Sequence, residues 1–166
     1  MSLHRFVFVL YFLFSSTSFA LSQSARPGAD VVTSGGTSTS VSGAGKKAVV
    51  TIHTVRIENS DVAFPQSATE AKTVTLVKGL DIQINGSSLF VPRSVFADLI
   101  NPHRMSAKFE KGAFVLSISG GDAAEAYGVR IYFDTAKVTR RVLTSSLTPH
   151  TVAQDTRYFL NVLKDE

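Results

Sequence analysis

The chain has 166 residues, with 17 Lys and Arg against 13 Asp and Glu, four His and no cysteine. That composition excludes disulfides, thiolate chemistry and a cysteine-linked lipid anchor. The cationic surplus is mild and forms no Lys/Arg-rich run, so nucleic-acid binding has no support, while an anionic partner such as an envelope polymer or an acidic protein is allowed.

The first twenty residues read as a cleavable signal peptide. Arg5 supplies the basic start, Phe6 to Phe14 is unbroken apolar sequence, and Ser15 to Ala20 turns small and polar. The apolar run is roughly half the ~20 residues a spanning helix needs, so the expected anchor-free product is exported with no stable membrane insertion after cleavage. Ala20 is the expected cut, with Ala25 as the alternative. An exported domain without cysteine is more usual in a bacterial periplasm than among animal secreted proteins.

Leu21 to Gly45 is dominated by Ser, Thr, Gly and Ala. With almost no large apolar side chain to bury, it is expected to be a flexible linker. A single β-rich domain is expected over residues 46–166. Ala48 to Ile57 is rich in β-branched residues, and Lys72 to Lys78 follows. Leu80, Ile82 and Ile84 then alternate with polar residues up to Asn85-Gly86. Asn-Gly between extended segments predicts a two-residue hairpin, because both central residues of a type I′ turn take positive φ; Ser88 to Val91 is the return strand. Asn85-Gly86-Ser87 also fits the N-glycosylation pattern, which is incidental in a bacterial protein.

Pro92 to Leu99 predicts one short helix, opened by a proline at its first position and stopped by Asn101-Pro102. The remainder reads as an antiparallel meander. Met105, Ala107 and Phe109 alternate with polar residues before Lys111-Gly112. Phe114, Leu116 and Ile118 do the same before Gly120-Gly121-Asp122. Tyr127 to Phe133 follows, then a reversal at Thr135-Ala136 and strands over 137–144 and 156–163, with a polar loop over 145–155 between them. The predicted fold is mainly β: an antiparallel meander forming a small sandwich or a partly open barrel, with the helix at about 92–99.

No catalytic motif stands out. His53, His103 and His150 have no metal-ligand spacing, and there is no Gly-x-Ser-x-Gly elbow, phosphate loop or dinucleotide fingerprint. No cofactor and no metal are expected, and an enzyme is the least favoured reading. Ser119-Gly120-Gly121-Asp122 is read as a turn rather than an anion nest. Arg93, near the start of the predicted helix, is read as a solvated surface residue.

The most informative pattern lies on the late strands. With Tyr127, Val129, Ile131 and Phe133 facing the core, Arg130 and Tyr132 face outward. The same surface is expected to carry Arg141, and Arg157 and Phe159 opposite the core set Tyr158, Leu160 and Val162. Arg and aromatic residues dominate recognition hot spots. The competing reading places Tyr132 and Phe159 in a second sandwich layer, and a one-residue register slip reassigns the whole face. Arg140 is the warning, since the assumed register sets it on the core side with Val138 and Val142. The expected function is therefore an exported, non-catalytic β-domain that binds an envelope or extracellular macromolecule as an inhibitor, immunity-type or assembly accessory protein. The alternative is a small-ligand or lipid carrier using the interior of a partly open barrel, which requires an apolar cavity.

Overall fold

In the computed structural model, residues 28–58, 72–122 and 125–159 are described. The predicted signal peptide, the start of the linker and Leu160 and Val162 lie outside them. Among the described residues, ten strands form two antiparallel sheets: β1 Asp30–Val31, β2 Thr37–Gly43, β3 Lys46–Glu58, β4 Thr73–Ile84, β5 Ser87–Leu89, β6 Pro102–Glu110, β7 Ala113–Gly120, β8 Tyr127–Phe133, β9 Val138–Ser145 and β10 Val152–Arg157. One sheet has the order β2-β3-β4-β5, the other β1-β6-β7-β8-β9-β10. The sheets do not close into a barrel, and the architecture is a small β-sandwich.

Alternation builds the core. Ala48, Val50 and Ile52 of β3 and Leu80, Ile82 and Ile84 of β4 point inward from one sheet. Met105, Leu116, Ile118, Val129, Ile131 and Phe133 meet them from the other. Each fully buried aliphatic or Phe side chain is worth about 1.5–3 kcal/mol in area removed from water. Phe133 stacks on Phe114 with ring centroids 5.5 Å apart, and Phe109 meets Phe114 edge-on at 5.0 Å.

Three two-residue hairpins, at Ala44-Gly45, Asn85-Gly86 and Lys111-Gly112, hold both central residues at positive φ. The expected turns at 85–86 and 111–112 are among them. The expected reversal at Thr135-Ala136 is an Asx turn: Asp134 Oδ1 accepts from the backbone N–H of Ala136 at 2.7 Å and of Lys137 at 2.9 Å.

Three expectations are corrected. β10 covers Val152–Arg157, most of it in the stretch expected to be a loop over 145–155. Residues 37–43 are not linker but the strand β2, paired along its whole length with β3 from Lys46 to Ile52. An edge strand satisfies its backbone by pairing and need bury little. Here Val41 is the apolar residue packed against the core, and Gly43 lies so close to Phe109 that a Cβ would overlap the ring. The buried Thr54 hydroxyl ties down the preceding segment, donating to Thr33 O at 3.1 Å and accepting from Gly35 N–H at 3.2 Å. The domain thus begins before Lys46.

The helix expected over 92–99 is reduced to a 3-10 turn at Arg93–Val95. Backbone pairing with β4 outcompetes it: Val77 N–H donates to Leu99 O at 3.2 Å and Asn101 N–H to Thr75 O at 2.7 Å. Eight residues are too few to hold a helix against such partners. The expected apolar side survives, since Val95, Phe96 and Leu99 are all buried.

Candidate binding surface

The outer face of the six-stranded sheet follows from its register. Tyr132 pairs across the strands with Val115 and Arg140, and Arg130 with Ser117 and Val142. On β6 the residues between the core set, Arg104, Ser106 and Lys108, take the same side, opposite Ser119, Ser117 and Val115. On β10, Asp155 pairs with Val142 and Arg157 with Arg140. One surface therefore carries Arg104, Lys108, Arg130, Arg140 and Arg157.

Of the predicted residues, Arg130, Tyr132 and Arg157 belong to this face. Phe159 lies two residues beyond β10, outside its register, and is 81% exposed. Arg141 does not belong to it. A bulge opposite Tyr132 and Phe133 inserts Thr139 into β9, so Phe133 pairs with Val138 but Tyr132 with Arg140. Beyond that extra residue every side chain changes face. Arg140 comes out and Arg141, 2% exposed, goes in.

Inside, the Arg141 guanidinium donates through Nη2 to both oxygens of Asp98 at 2.7 and 2.8 Å, and through Nη1 to Gln154 Oε1 at 2.7 Å. It fastens β9 and β10 to the segment after the 3-10 turn. The nearby Tyr127 hydroxyl is buried and has no hydrogen-bond partner among the described residues. Burial raises its pKa well above the usual phenol value, and the charge of Asp98 adds to this against Arg141.

Outside, Arg140 is held in place from two directions. It grips Asp155 through Nε at 2.7 Å and Nη2 at 2.6 Å, and its guanidinium lies 5.7 Å from the centre of the Tyr132 ring. The hydrogen bond from Arg140 holds the Asp155 carboxyl below the usual carboxylate range. The bond from Lys108, at 2.8 Å, does the same to Glu110. Arg104 and Arg130 have no carboxylate partner among the described residues.

Between these two free guanidiniums runs an open groove of about 520 Å³, lined by Ser106, Ser117, Ser119, Thr144 and, from the β9–β10 loop, Pro149 and His150. A smaller groove of about 240 Å³ lies beside Asp98, Asn101, Asp122 and Tyr127. The outer face of the four-stranded sheet differs in character. Ser38, Ser40, Ser42, Thr51 and Gln83 dominate it, with Lys47 and a His53–Asp81 pair at 2.7 Å.

Two histidines thus have acidic neighbours that their isolated places in the sequence do not announce, since His103 also stands 3.7 Å from Asp122. Among the described residues no group of three or more His, Cys, Asp or Glu is arranged to hold a metal ion. Arg104, Lys108 and His150 were missed as site residues. The first two had a signal in their strict alternation with Met105, Ala107 and Phe109. His150 had none, because a loop shows no periodicity. Compared with known proteins, the chain matches no family model, no curated sequence and no solved structure.

Proposed function

We propose that the protein is an exported, non-catalytic β-sandwich that docks an acidic macromolecule of the envelope or extracellular space on the outer face of its six-stranded sheet. The observation carrying this reading is the segregation of charge. Among the described residues, five cationic side chains share that face with two carboxylates, Asp155 and Glu110, both already engaged by Arg140 and Lys108. The other sheet presents mainly hydroxyls. A basic face with a fixed Arg–Tyr pair at its centre has the composition of a recognition hot spot, and its net charge raises the encounter rate with anionic partners. The carrier alternative asks for an apolar chamber, whereas the space between the sheets is occupied by Ile52, Ile82, Leu116, Ile131 and Phe133.

The test is a pull-down from envelope extracts at graded salt, with three baits. A partner recovered by the native chain, lost as salt rises, lost with R130A/Y132A and kept with T51A/Q83A on the opposite sheet supports the proposal. Equal recovery by all three baits removes it.

A further inference from the structure

Within that face the groove has a chemistry of its own, separate from its charge. Ser106 and Ser117 stand directly opposite each other across β6 and β7, and Ser119 is the next outward residue along β7. Unlike Thr144, whose hydroxyl donates to Gly128 O at 3.2 Å, these three serines make no side-chain hydrogen bond among the described residues. Arg104 and Arg130 flank them on β6 and β8. Two strand spacings and one two-residue step separate the two arginines, about 12 Å at Cβ.

Three groups that both donate and accept, between two that only donate, form a pattern with a specific complement. An acidic side chain accepts from the arginines and from the serine hydroxyls alike but offers no donor in return, so it uses only half of what each serine presents. A sugar ring carries hydroxyls that donate and accept in turn, and a sugar acid adds the carboxylate that a guanidinium grips in bidentate fashion. The groove, at about 520 Å³, has the size of a small-ligand site rather than that of one inorganic anion. It is open to solvent rather than enclosed, as a site for a segment of a longer chain must be.

We infer that this groove binds an acidic polysaccharide, with uronate carboxylates on Arg104 and Arg130 and ring hydroxyls on Ser106, Ser117 and Ser119. The inference rests on the reading of this face as the docking face, and it names the partner's class.

Nuclear magnetic resonance titration of the full chain tests it with four probes: a galacturonate hexasaccharide, its fully methyl-esterified neutral form, hexaglutamate, and inorganic phosphate. The hexasaccharide is expected to shift the amides of Ser106, Ser117, Ser119 and Gly128. R104A/R130A is expected to weaken it at least tenfold. S106A/S117A is expected to weaken it severalfold and to weaken hexaglutamate less.

Equal binding by the neutral ester, equal binding by hexaglutamate with no serine dependence, or no shift with any uronate probe would each overturn the inference. If the uronate fails while capture from extracts still depends on Arg130 and Tyr132, the sugar assignment falls and the docking face stands. Failure of both removes both.

Discussion

Arg141 is the largest fully buried side chain among the described residues, and its partners allow its worth to be worked out. Asp98 supplies two charge-assisted contacts and is 55% exposed, whereas the guanidinium is 2% exposed. Removing one partner of a buried pair costs about 3–5 kcal/mol, because the other charge is stranded. Since half of Asp98 already faces water, solvent recovers part of that loss for D98A, leaving about 2–3 kcal/mol. R141M removes the charge itself and retains an apolar stem of similar length, so it is expected to cost less than about 1.5 kcal/mol. The double variant D98A/R141M is expected to match R141M within about 0.5 kcal/mol, since the stranded charge is gone. Urea unfolding followed by circular dichroism, with the slope unchanged between variants, measures all three. If D98A costs less than about 0.5 kcal/mol while R141M costs more than D98A, the side chain is held by its packing and the ion-pair account is refuted.

The remaining expectations are simpler. Y127F removes a buried hydroxyl without a partner and is expected to gain about 1 kcal/mol in the same urea assay. Because the folded state keeps that phenol protonated above its ordinary value of ~10, native stability is expected to fall as pH rises past 10, and less so in Y127F. G43A forces a methyl group into Phe109 and is expected to cost about 1–3 kcal/mol; a neutral result would mean that β2 contributes nothing, as a linker would. At the acid end, the Asp155 and Glu110 carboxyls lie below their unfolded values. Their stabilisation is therefore present above the ordinary carboxylate range, near pH ~4, and lost as pH falls through the lower folded values. A thermal melt series in acid should show a shallower decline for R140A than for the native chain.

Strand alternation made most of this sandwich legible before any coordinates. Met105 to Phe109, Phe114 to Ile118 and Tyr127 to Phe133 declared their inward faces residue by residue, and the Asn85-Gly86 and Lys111-Gly112 turns declared their hairpins. What stayed hidden was decided by partners distant in sequence. Thr37 to Gly43 has little to bury and becomes a strand because β3 offers it a backbone ladder. Residues 92–99 have the periodicity of a helix and lose it to hydrogen bonds that Leu99 O accepts from Val77 of β4 and Asn101 N–H donates to Thr75 of β4. At the candidate site, Arg130, Tyr132 and Arg157 were readable, but the choice between Arg140 and Arg141 turned on one bulge. Nothing in the local run Val138-Thr139-Arg140-Arg141-Val142 marks which residue is the extra one.

The order of strands has a consequence for how the chain reaches this state. Strands β2 to β5 are consecutive neighbours in one sheet, and β6 to β10 are consecutive neighbours in the other. Each sheet is thus assembled almost wholly from contacts close in sequence, which is the low-cost route for β topology. β1 is the exception: it leaves the first half of the chain to pair with β6. Neither meander covers its apolar face alone, since one core is shared by both sheets, so the two are expected to become stable together. The two-residue β1 is the clasp from the first meander onto the second.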